Sequence, residues 1–96
     1  MIHLVVLRGN AIVVANSVEG AKRIASGWAL LGGGPGNDGT MTTSMLLTID
    51  QPTGAIRDYF SRTPNLQILV ARLEGDWAAR GMPDIAVWLQ NSAIFF

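Results

Sequence analysis

From Met41 to Asp50 the chain alternates, with Met41, Thr43, Met45, Leu47 and Ile49 on one side and Thr42, Ser44, Thr48 and Asp50 on the other. A period of two over this length predicts a half-exposed strand with one apolar and one largely polar face. Gln51-Pro52 then opens a helix whose stripe is Ala55, Ile56, Tyr59 and Phe60, and Thr63-Pro64-Asn65 ends it. Leu66 to Leu73 follows as a second, more fully apolar strand. Strand, helix and strand in succession limit the fold to a few α/β sandwiches.

Upstream, Ile2 to Leu7 is apolar apart from His3 and rich in β-branched residues, which suits a strand buried on both faces. Gly9-Asn10 is a turn dipeptide and Ala11 to Ala15 a second short apolar run. Together they predict a hairpin, with one longer strand bulged at Gly9 as the competing pattern. Asn16 or Ser17 caps the next helix, and Glu19 three residues after Asn16 fits a capping box. Val18, Ala21, Ile24 and Ala25 form its buried stripe, with Lys22 and Arg23 pointing outward and Gly27 as the stop. Trp28 to Leu31 either continues this helix or crosses the core. Between Gly32 and Gly39 five of eight residues are glycine, a composition that predicts a mobile loop. Beyond Leu73, Glu74 to Gly81 is a turn bearing Trp77, and Pro83 opens a last helix carrying Ile85, Trp88 and Leu89.

Composition sharpens this picture. At 96 residues the chain makes a single α+β domain, and 49% hydrophobic against 15% charged residues exclude disorder. So few charges, with an apolar end at Ile94-Phe95-Phe96, predict that part of the apolar surface is buried between subunits. Seven basic residues balance seven acidic ones, so the global basic excess of a phosphate-gripping protein is absent. A local cluster stays open. The chain has no cysteine, which rules out disulfides and sulfur-built zinc sites and suits a reducing cytoplasm. Arg8 interrupts the N-terminal apolar run, which is neither a signal peptide nor long enough to span a bilayer.

No catalytic pattern emerges. Gly34-x-Gly36-x-x-Gly39 matches the spacing of a dinucleotide fingerprint but runs from a helix into a strand, the reverse of what places pyrophosphate on a helix N-terminus. His3, the only histidine, sits inside an apolar strand, where packing is the ordinary role. Asp38, Asp50, Asp76 and Asp84 show no metal-ligand spacing. Asp58 and Arg62 read as a solvated i, i+4 pair. Trp28, Trp77 and Trp88 read as core or interface anchors.

One likeness goes further. Ser44-Met45-Leu46-Leu47, then Ala55-Ile56-Arg57-Asp58, then Ile68-Leu69-Val70-Ala71-Arg72-Leu73-Glu74-Gly75-Asp76-Trp77-Ala78, form a series that resembles the small ferredoxin-like proteins related to the CRISPR-associated adaptation nuclease. The likeness is to their uncharacterised stand-alone relatives above all, and it covers roughly the last half of the chain. It implies a βαββαβ-type sandwich, one sheet with helices on one face, to which the N-terminal hairpin and C-terminal helix would be additions. It also implies a homodimer. In that family an aspartate closing the first strand is the proposed metal-binding, phosphodiester-cleaving residue. Here the candidate first strands end in Leu7-Arg8 and Val14-Ala15-Asn16, so the likeness carries over no nuclease residue.

The sequence therefore predicts a non-catalytic interaction module that needs no cofactor or metal and binds a protein partner. Its homodimer interface would use Trp77, Trp88, Ile94, Phe95 and Phe96. A nucleic-acid-binding protein is the alternative and requires Arg57, Arg62, Arg72 and Arg80 on one surface. A small-ligand regulatory domain is the third class and requires an apolar pocket beside the glycine segment.

Overall fold

In the computed structural model, residues 1–36 and 38–73 are described. β1 (Ile2–Asn10) is one unbroken strand and leads directly into α1 (Ala11–Ile24). Asn10 ends the strand and caps the helix, its side chain accepting a hydrogen bond from the Ile12 backbone N–H at 2.9 Å. The expected hairpin is thus corrected, because Ala11 to Ala15 is helical. Local preference in Ile12-Val13-Val14 favours a strand, but Val14 falls on the i, i+4, i+7 row with Val18 and Ala21 that the sheet buries. Tertiary burial outweighs β-propensity here. Asn16 and Ser17 lie inside the helix, where the Ser17 hydroxyl donates to the Val13 carbonyl at 2.8 Å. The helix ends at Ile24, before Gly27, as Ala25 turns extended.

β2 (Gly27–Pro35) takes up Trp28 to Leu31 and half of the glycine-rich segment, which is therefore strand where a loop was expected. It pairs with β3 (Thr40–Thr48) through a register shift between Leu30 and Gly32. The glycines permit this close pairing. A Cβ on Gly33 would lie 1.9 Å from the Thr42 carbonyl oxygen, so no other residue fits without displacing backbone. α2 (Thr53–Phe60) starts after Pro52, whose carbonyl accepts from the Ala55 and Ile56 N–H groups at 3.0 and 3.2 Å. β4 (Gln67–Leu73) completes the described chain.

The described residues are α+β, a four-stranded antiparallel sheet with two helices and the strand order β2-β3-β1-β4. Alternation decides which residues meet the helices. Val5 stands opposite Met45 and Val70, and these share a face with Leu7 and Leu47. That face meets Val14, Val18 and Ala21 of α1 and Ile56 and Phe60 of α2 in the main core. Each large side chain buried there contributes about 1.5–3 kcal/mol. Packing places α1 over β1 and β3 and α2 over β4. A smaller cluster of Ile2, Ala29 and Leu46, with Leu4, Leu31 and Leu73 beside it, occupies the opposite face. β3 is consequently not half-exposed as its alternation suggests, since Leu46 on its supposedly wet face is only 3% exposed.

The predicted C-terminal helix and the residues Trp77, Arg80, Trp88, Ile94, Phe95 and Phe96 lie outside the described residues. Among the described residues no helix is long and apolar enough to cross a membrane.

Candidate functional site: the groove between the helices

Because α1 and α2 pack over different strands, a groove runs between them. One end is a cleft of about 440 Å³. From α1 it is lined by Val13, Asn16, Ser17, Gly20 and Arg23, a row spaced to fall along one flank of the helix. Tyr59, Phe60, Arg62 and Thr63, at the end of α2 and just past it, form the facing wall. The other end, about 650 Å³, is more apolar, with Ile24, Ile49, Ala55 and Ile56 among its walls and Asp50 and Asp58 at its margin. Tyr59 and Arg62 line both ends.

Tyr59 is fixed from two sides. Its ring meets Phe60 edge-on, with centroids 5.2 Å apart and an interplanar angle of 84°. Its hydroxyl lies 2.9 Å from where a Cβ on Gly20 would be, so the glycine makes room for the phenol.

Charge is distributed unevenly around the groove. Arg57 pairs with its neighbour Asp58, Nη2 to Oδ1 at 3.0 Å, so the expected Asp58–Arg62 pair is not made. The shorter path from Arg57 satisfies the carboxylate, and Arg62 extends into the groove. Lys22 reaches Glu19 at 3.1 Å and lies 4.3 Å from the centroid of the Trp28 ring on β2. Arg8 meets Asp38 at 3.4 Å. Among the described residues no carboxylate lines the cleft that holds Arg23 and Arg62.

Of the arginines singled out from the sequence, only Arg62 lines the groove. Arg57 is engaged with Asp58, Arg72 stands on β4 opposite His3, and Arg80 is outside the described residues. Arg23 joins Arg62 instead. Its role was hidden because the sequence does not show which flank of α1 faces α2. The visible signal was the second row Val13, Asn16, Gly20, Arg23.

Other chemistry-bearing groups are placed away from the groove. His3 is fully buried, and neither ring nitrogen has a hydrogen-bond partner among the described residues. Burial pushes its pKa down, helped by the N-terminal ammonium and then Arg72. The pocket beside the glycine turn is polar, about 220 Å³, and bordered by Arg8, Asp38, Thr40, Asn65 and Gln67. It is not the apolar pocket that a small-ligand domain was expected to show. Asp38 there accepts from the Thr40 hydroxyl at 2.6 Å and its N–H at 3.2 Å, which hold its carboxyl below the usual range. The fingerprint-like glycines run from β2 into β3, so no helix N-terminus follows them. Among the described residues no group of His, Cys, Asp and Glu could hold a metal ion.

In comparisons with protein-family models, curated proteins and solved structures, the chain finds no match.

Proposed function

We propose that this protein is a small non-catalytic interaction module of ferredoxin-like βαββαβ type that acts as a homodimer and seats a protein partner in the groove between α1 and α2. The groove carries this reading. It is apolar at one end and basic at the other, with a tyrosine and an arginine at the middle, the residue types that anchor protein interfaces. The fold assignment is supported by the element order β-α-β-β-α-β and by β1 lying between β3 and β4. The likeness of the second half to relatives of the adaptation nuclease agrees with it. β1 contains no aspartate, so no hydrolytic role is included.

Homodimerisation is supported by apolar side chains on the two outer strands of the described sheet. Trp28 and Leu30 on β2 and Leu69 on β4 are 41%, 45% and 57% exposed. Sedimentation equilibrium tests it, with twice the 10.3 kDa chain mass expected and the single mass refuting it.

Photo-crosslinking tests the groove. A benzophenone side chain is placed at Ser17, at Ala55, or at Ala15, which is exposed on α1 but lines neither end. In extracts of the host cell, the two groove positions should yield the same protein adduct and Ala15 none. Adducts equal at all three positions, or none at any, would refute the groove. Adducts removed by nuclease would favour the nucleic-acid alternative.

A further inference from the structure

We infer that the basic end of the groove is an oxyanion site, built to take a carboxylate or a phosphoryl group. The inference rests on the groove being a binding face and adds the chemistry that one end recognises.

Six side chains around this cleft carry hydrogen-bond donors, and with the Ser17 hydroxyl given to the Val13 carbonyl, Asn16, Arg23, Tyr59, Arg62 and Thr63 remain. None of these side-chain donors is spent on another group among the described residues. Elsewhere on the same surface the pattern differs. Arg8, Lys22 and Arg57 are each paired with a carboxylate, and Ser26 and Ser61 donate to backbone carbonyls. Arg23 and Arg62, which no carboxylate engages among the described residues, stand at this one cleft.

The charge balance points the same way. Among the described residues, two guanidinium groups line the cleft and no carboxylate does. A concave surface of one sign concentrates the opposite ion, and apolar walls such as Val13 and Phe60 strengthen that field by lowering the local dielectric. Guanidinium forks match the paired oxygens of carboxylate and phosphate, and hydroxyl and amide donors can complete the shell. Arg62 also follows the C-terminus of α2, where a cation is favoured by the helix dipole.

The test is an NMR titration of the full chain with inorganic phosphate and, separately, with succinate. Ionic strength is held constant with chloride, and the backbone amides of Asn16, Gly20 and Thr63 report. Saturable shifts are expected, with half-saturation on the order of 1 mM for so small a ligand. Arg23→Gln and Arg62→Gln should each weaken binding about tenfold, while Arg8→Gln, at the glycine turn where Asp38 engages its charge, should leave it unchanged. Saturation by phosphate alone identifies a phosphoryl site, and by succinate alone a carboxylate site. Shifts that stay linear, that chloride reproduces, or that survive both groove substitutions overturn the inference. Crosslinking from Ala55 reports on the apolar end without needing an anion. Intact crosslinking with a flat titration would therefore defeat the oxyanion site alone. Saturable phosphate binding without position-specific crosslinking would defeat the protein-partner reading alone.

Discussion

Replacing His3 by leucine should stabilise the protein, and by more at acid pH than at neutral pH. The imidazole is fully buried on β1, between Leu47 of β3 and Arg72 of β4 in register, and both its nitrogens lack partners among the described residues. A buried polar group left unpaired costs about 1–3 kcal/mol. Leucine removes both such atoms at similar volume, and a shape mismatch of this kind returns less than about 1.5 kcal/mol. Subtracting the second from the first leaves a net gain of about 1 kcal/mol at pH 7.5, taking the middle of each range. The pH dependence has a definite sign. The folded pKa lies below the ordinary value of 6.5, chiefly because burial disfavours the imidazolium. As pH falls below 6.5 the unfolded chain takes up a proton that the folded chain refuses, so stability present above 6.5 is lost down to the folded value. The variant lacks this loss, and its advantage should widen toward pH 5. Urea unfolding followed by tryptophan fluorescence at several pH values between about 5 and 8 measures both effects. A variant less stable than the parent at pH 7.5, or one with the parent's slope against pH, would refute the reasoning.

Three further outcomes are expected. Asn10→Ala should cost about 1 kcal/mol and Asn16→Ala less than about 0.5 kcal/mol, read from thermal melts by circular dichroism; equal losses would return the cap to Asn16. Gly33→Ala should cost about 2–3 kcal/mol because its Cβ would meet the Thr42 carbonyl, whereas Gly34→Ala, with nothing within 4 Å of its Cβ, should cost under about 1 kcal/mol. Denaturant midpoints compare the two, and similar losses would show the β2–β3 pairing to be looser than described. Asp38→Asn should flatten the acid side of the stability profile only below about pH 4. Its folded pKa is depressed from 3.8, so its stabilising effect is present above that value and lost as pH falls through the folded one. A change near pH 6 would contradict this.

How much the sequence revealed depended on whether a segment's local and tertiary preferences agree. In β3, α2 and β4 they do, and these three elements appear within a few residues of their expected positions. At Ala11 to Ala15 they conflict. The β-branched run suggests a strand, but the period-of-four row Val14, Val18, continuing to Ala21, spans the expected turn and wins once a sheet lies beneath it. Gly32 to Pro35 conflicts the other way, because glycine lowers strand propensity yet is required where two backbones come this close at Gly33. Of the groove, Arg62 and Tyr59 were visible as members of a helix and its exit. Their meeting with Arg23, Asn16 and Gly20 depends on the relative placement of two helices, which no local pattern encodes.

That placement follows from the order of the strands. α1 links β1 to β2 and α2 links β3 to β4, while β1 lies between β3 and β4. Each crossover helix must return over the sheet, and packing sets α1 above β1 and β3 and α2 above β4. The space between them has to be filled by side chains or left open. A glycine in the middle of α1 weakens that helix by about 0.5–1 kcal/mol relative to alanine. Alanine at position 20 would recover that energy and narrow the groove, yet its Cβ would stand 2.9 Å from the Tyr59 hydroxyl and push the phenol away. Gly20 therefore trades helix stability for the position of Tyr59, the side chain common to both ends of the groove. A gap left by poor packing would need no such trade. Gly20 lines the basic end alone, and through the Tyr59 side chain it accommodates, it bears on both ends of the groove.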